Sequence, residues 1–209
     1  MDLRPHDLVK IRSVDCLLKG SHFPGWAIDF LTGAPYVVVR RSKQDNHFIP
    51  VGIRGNQRGQ RHASWLAIEN IVEVITPEQL SKPTNWKIKA EGVFNPQIGS
   101  LLELTPLLDQ FGYEWGPAGS LAFELATGIK TTNRDSDLDL IIRIAEPVSV
   151  IKAKTLLTEL ESLSLCRLDI QINSPLGGFS LKEYCQSSSV LIKTEDRPVL
   201  IQSEKIWAA

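Results

Sequence analysis

The run Asp135-Ser136-Asp137-Leu138-Asp139-Leu140-Ile141-Ile142-Arg143 leaves this chain few choices. Leu138, Leu140 and Ile142 recur at the period of a β-strand, which puts Asp137 and Asp139 together on the opposite face. The apolar face belongs in a core. The acidic face needs a partner, because carboxylates set side by side on a sheet repel one another unless a cation or a proton compensates. Mg2+ is the natural guest, since it takes a few carboxylate oxygens and keeps positions for waters and substrate phosphates. The plain alternative is an exposed strand whose acids are simply solvated. A calcium loop fits poorly: Glu146 is the twelfth residue counted from Asp135, but Leu140 holds the sixth position, where such loops turn on glycine. Asp135 precedes the strand and reads as a turn or capping residue.

A third carboxylate comes from Asp169 in "RLDIQI", whose neighbours Leu168 and Ile170 face the other way. With this strand beside the first and its acidic face on the same side, Asp137, Asp139 and Asp169 form a candidate two-metal site. Such a site activates an attacking oxygen and stabilises a leaving oxygen in displacement at phosphorus. Upstream, Gly119-Ser120 lies where the strand "YEWGP" gives way to the short helix "SLAFELATG", which Gly128 stops. Unpaired backbone N–H groups and the positive end of the helix dipole can hold a phosphate there. Gly119 permits close approach and Ser120 adds a hydroxyl.

The frame around these motifs is that of an ordinary globular protein. At 209 residues the chain can hold two small domains, and 43% hydrophobic residues with a net charge of -1 give no global basic footprint for nucleic acid. Cys16, Cys166 and Cys185 are too widely spaced for a zinc or redox motif. The N-terminus lacks a signal-peptide core and no apolar run approaches the ~20 residues of a membrane span, so a cytoplasmic location is expected. Short strands such as "PYVVVRR" fill the first part, "ASWLAIENIVEVI" reads as a short helix running into a strand, and "TPEQLSKPTNW" reads as a linker. The expected domains are therefore 1–80, strand-rich, and 81–209. In the second, "SLLELTPLLDQFG" is a helix interrupted or re-aimed at Pro106, and Pro147 opens an amphipathic helix before the Asp169 strand. Alternating helices and strands predict an α/β or α+β class with a mixed sheet flanked by helices.

The Gly119-Ser120 turn, the short helix, Asp137-Leu138-Asp139 and the later Asp169 resemble the nucleotidyltransferase superfamily of the polymerase β type. Together with "RPHDLVKI" (Arg4 to Ile11), "PYVVVRR" with Arg40-Arg41, and "VGIRGNQRGQRHASWL" (Val51 to Leu66), they are similar to a narrower family. That family is the phosphoribosyl-dephospho-CoA transferase of bacterial malonate decarboxylase, the holo-acyl-carrier-protein synthase of that system. The resemblance implies a reaction in which a serine of the apo acyl-carrier subunit attacks triphosphoribosyl-dephospho-CoA and pyrophosphate leaves. It implies Mg2+, as two ions on Asp137, Asp139 and Asp169, with Asp169 as ligand or base.

In the first domain, Arg54, Arg58 and Arg61 fall within a few residues of one another in a glycine-punctuated segment, and guanidinium groups pair bidentately with phosphates. They are the expected grip on the anionic precursor, or else a solvated loop. His6 is either a substrate contact or a capping or surface residue. Two other functions remain open at this level: a general adenylyltransferase acting on a small molecule or protein, and an inactive nucleotide-binding module.

Overall fold

In this computed structural model, residues 3–18, 22–43, 47–55, 57, 59–87 and 95–207 are described. The chain divides into two units, Met1–Thr76 and Pro77–Ala209. In the first, β-branched and apolar residues alternate along β1 (Leu8–Ile11), β2 (Tyr36–Val39) and β3 (Phe48–Arg54), which follow one another in the sheet; α1 (Gly25–Gly33) lies between β1 and β2 in the chain. Val9, Ile11, Val37, Val39, Ile49, Val51 and Ile53 are buried on one face, together with Ala27 and Leu31 of α1. The sheet is completed by β4 (Arg61–Ala67) and β5 (Ile71–Ile75), in the order β4-β3-β2-β1-β5, all antiparallel.

The segment read as a helix at "ASWLAIEN" is therefore strand β4 followed by a single 3-10 turn, Ile68–Asn70. Its apolar spacing suits either element. The full seven-residue ladder with β3 and the burial of Ser64 and Leu66 on the inner side decide for the strand. His6 has a φ of 79°, with Pro5 before it and the Asp7 N–H donating to the Arg4 carbonyl at 3.1 Å. It is the third residue of a turn whose left-handed position normally goes to glycine.

The second unit begins with residues expected to be a linker. They are instead α2 (Pro77–Leu80) and a 3-10 turn, Pro83–Asn85, with Leu80 buried. The order then runs α3 (Pro96–Gln110), β6 (Glu114–Pro117), α4 (Gly119–Thr127), β7 (Leu138–Arg143), α5 (Val150–Leu163), β8 (Leu168–Ser174), β9 (Gly177–Ser180), α6 (Leu181–Gln186), β10 (Ser189–Lys193) and β11 (Pro198–Gln202). The six strands form one mixed sheet, β11-β10-β9-β8-β7-β6, in which β7 and β8 are parallel. The mixed α/β class is as expected. Among the described residues no helix is long and apolar enough to cross a membrane. No disulfide joins the cysteines.

Helix α3 runs unbroken through Pro106. The proline lies on the exposed side of the helix, and Thr105 Oγ1 donates to the Leu101 carbonyl at 2.7 Å. Pro147 precedes α5 without opening it; the cap is Ser149, which accepts from the Lys152 N–H. Gly128, at a φ of 77°, ends α4 as expected.

What fixes the segment before β7 is a buried carboxylate in α4. Glu124 Oε2 accepts from the Thr131 N–H at 3.0 Å, the Thr132 N–H at 2.7 Å and Thr132 Oγ1 at 2.6 Å. Asn95, the N-cap of α3, donates to Thr132 Oγ1, and fully buried Gln97 donates to the Ser136 carbonyl at 2.5 Å. The acidic run is thus tied to two helices before Asp137. Glu124→Ala strips three donors of one acceptor and should cost about 3 kcal/mol, whereas Glu124→Gln keeps an oxygen there and should cost roughly half. Urea unfolding measures both; an alanine variant as stable as the parent would show that water replaces the carboxylate without loss.

Candidate active site

Strand β7 presents two faces. Leu138, Leu140 and Ile142 are buried, and Leu140 and Ile142 pair in register with Pro117 and Trp115 of β6. Trp115 Nε1 donates to Asp109 Oδ1 of α3 at 2.8 Å, so α3 packs on this apolar face. The other face carries Asp137, Asp139, Ile141 and Arg143. Its lower end is covered: a Cβ on Gly116, the register partner of Ile141, would sit 1.8 Å from the Pro77 carbonyl oxygen, and Arg143 Nε donates to Glu78 Oε1 at 2.5 Å. Its upper end, with the two aspartates, is left partly open.

Parallel pairing sets Asp139 directly beside Asp169 of β8. This brings together on one face the carboxylates that the alternation in each strand pointed to, at the ~4.8 Å spacing of neighbouring strands. Asp139 is also pressed against the start of α4. The Ala118 N–H donates to the Asp139 carbonyl at 2.8 Å, Gly119 has a φ of 60°, and a Cβ there would fall 1.8 Å from Asp139 Oδ2. Only glycine admits both the left-handed backbone and the carboxylate. Ser120 follows, buried, its carbonyl accepting from Thr131 Oγ1 at 2.8 Å.

Asp137 is engaged differently. Arg167, two residues before Asp169 and on its face, donates Nε to Asp137 Oδ1 at 2.7 Å and Nη2 to Asp137 Oδ2. The Arg167 side chain is 74% exposed, and its pKa is raised above the ordinary value first by this hydrogen bond and then by the charge of Asp137. Asp169 and Asp139 add smaller attractions. Among the described residues no three metal-ligating side chains converge on one point. The donor set nevertheless fits a hard cation: Asp139 and Asp169 stand in register, Asp137 is two residues away on the same face, and all offer oxygen. In this arrangement both Asp137 oxygens accept from Arg167.

The same face continues along β8 as Gln171 and Asn173, joined by a hydrogen bond from Gln171 Nε2 to Asn173 Oδ1 at 2.9 Å. Lys193 Nζ of β10 donates to Gln171 Oε1 at 3.3 Å. It reaches past Gly178, which pairs with both Asn173 and Lys193. Sequence reasoning missed Arg167 and Lys193. Arg167 was signalled by its position two before Asp169, in the same alternation; Lys193 depends on a strand order that spacing does not reveal.

In the first unit, Arg54 and Arg61 face each other across the β3–β4 ladder. The Arg40 stem lies over Gly52, whose Cβ would be 3.4 Å from it, on the side of β3 that Arg54 shares. Like charges opposite one another weaken a sheet unless an anion or carboxylate lies between them. Arg58 lies outside the described residues.

Comparison with known proteins bears on the whole chain. The family model for the phosphoribosyl-dephospho-CoA transferase MdcG N-terminal domain matches residues 4–77, and that for the C-terminal domain matches residues 89–204. A phosphoribosyl-dephospho-CoA transferase of Pseudomonas putida (strain GB-1) is 35% identical, covering 99% of this chain and 96% of its own. Proteins of the same name from Azotobacter vinelandii and Klebsiella pneumoniae (strain 342) are 37% and 36% identical over 91% of this chain, and 88% and 90% of theirs. No solved structure matches. With two family models accounting for both of its units and relatives aligned nearly end to end, the chain belongs to the phosphoribosyl-dephospho-CoA transferase family.

Proposed function

We propose that this transferase is a nucleotidyltransferase that moves 2′-(5″-phosphoribosyl)-3′-dephospho-CoA from its triphosphate precursor to a serine of the apo acyl-carrier subunit of malonate decarboxylase, releasing pyrophosphate. The observation that carries the reading is the in-register pair Asp139 and Asp169 beside Gly119 at the start of α4. A new P–O bond forms from the serine oxygen to the α-phosphorus, the P–O bond to pyrophosphate breaks, and the serine proton is taken up. Asp137, Asp139 and Asp169 are the residues that would hold Mg2+, as two ions. Bound there, Mg2+ would neutralise phosphate charge and make the attacking oxygen a better nucleophile.

Each protein group has a task of its own. The α4 N-terminus receives phosphate oxygens with Gly119 and Ser120. Asp169, the most exposed of the three acids, can accept the serine proton as well as bind metal. Arg54 and Arg61, with Arg58 between them in the sequence, grip the triphosphate or the CoA portion. The reaction is placed in the cytoplasm.

Incubating the enzyme with Mg2+, purified apo-carrier and precursor, then weighing the intact carrier, tests the reaction; a carrier of unchanged mass would reject it. Asp137→Ala or Asp139→Ala should abolish transfer while leaving the fold intact, because neither opens a core. Wild-type turnover in either would remove that aspartate from the machinery.

Arg54→Ala or Arg61→Ala should weaken precursor binding by about 1.5–3 kcal/mol for each charge-assisted hydrogen bond removed. Unchanged affinity by calorimetry would make both arginines part of a solvated hairpin. Asp169→Asn should slow transfer by about 10²–10⁴-fold if the carboxylate is a base, and should also raise the Mg2+ needed for half-maximal rate if it is a ligand. A normal rate with unchanged Mg2+ dependence would exclude both roles.

A further inference from the structure

Arg167 is not accounted for by the reaction just described. Its guanidinium satisfies both oxygens of Asp137, yet it is 74% exposed and is held by no core packing. It stands one residue before Leu168, as Asp137 stands one before Leu138, and those two leucines are register partners. The sheet therefore delivers the arginine to the aspartate. The same side chain feels Asp169 and Asp139, so it serves as the counter-charge of the whole acidic face. A divalent cation on Asp137 needs at least one of those oxygens, and an ion pair this exposed is screened by water and readily broken.

We propose that Arg167 is a displaceable internal cation: it occupies Asp137 until a divalent ion takes that carboxylate, and the freed guanidinium then binds the polyphosphate of the incoming nucleotide. This rests on the reading of Asp137, Asp139 and Asp169 as a metal site. The released fork is a bidentate phosphate ligand on a flexible, solvated stem, two residues from Asp169. Cation and polyphosphate then favour each other's binding. The cation frees the arginine, and a polyphosphate that holds the arginine keeps Asp137 open to the cation, as linkage requires.

The test uses the full-length protein and Mn2+, counted by electron paramagnetic resonance of the free ion, with Asp139→Asn as the site control. Arg167→Ala should bind Mn2+ alone several-fold more tightly than wild type, because no ion pair need be broken first. Arg167→Lys, which keeps the charge but cannot cover both oxygens, should recover most of that gain; a lysine variant equal to wild type would show a simple field effect and overturn the displacement. With Mn2+ saturating, both variants should bind inorganic triphosphate several-fold more weakly than wild type, and unchanged triphosphate affinity would remove the second half of the proposal. Adding Mg2+ should shift the Arg167 Nε–H resonance from its carboxylate-bound position. Mn2+ binding that Asp139→Asn abolishes but Arg167→Ala leaves unchanged overturns the proposal and spares the metal site. No Mn2+ binding by any variant overturns both.

Discussion

The parallel pairing of β7 with β8 is the interaction on which the site depends. It is the one parallel step in a sheet otherwise antiparallel, and its register puts Asp139 against Asp169 with no residue of offset. A slip of one residue would turn one strand's acids into the core and its leucines and isoleucines into solvent. The burial of Leu138, Leu140, Ile170 and Ile172 forbids that slip, so hydrophobic packing on one side of the sheet holds like charges together on the other. The repulsion is met locally by Arg167 and by the start of α4.

The segment leading into β7 shows the same division of labour. Its backbone is not anchored by strand pairing until Leu138, and before that a single carboxylate oxygen of Glu124 and the amides of Asn95 and Gln97 hold it. These are polar interactions at buried positions, where each missing partner is expensive, so they specify one conformation rather than merely favour it.

Much of this could be read along the chain because the relevant signals are local. The alternation in β7 and β8, the glycine that ends α4, and the Gly119 turn each follow from a few adjacent residues. Where non-local pairing decides, local reading fails: β4 has apolar spacing that suits a helix, and its ladder with β3 overrules it. Glu124 looks like one surface acid in an otherwise apolar helix, and only the fold shows three donors turned toward it. The grip of Arg167 on Asp137 spans 30 residues of sequence, and no spacing rule reports it. Polar residues and two prolines suggested a linker at 76–86, yet Pro77 and Leu80 are buried within the second unit.

That last element bears on how the protein can be taken apart. The C-terminal family match begins at residue 89, whereas the structural unit begins at Pro77. Gly116 lacks a side chain because the Pro77 carbonyl passes over it, and Glu78 supplies the carboxylate to which Arg143 donates from the end of β7. A fragment cut at the family boundary would bare the flank of β6 and remove that carboxylate from the very strand that carries Asp139. The N-terminal edge of the second unit is a four-residue helix of which the family models span only the first residue, Pro77.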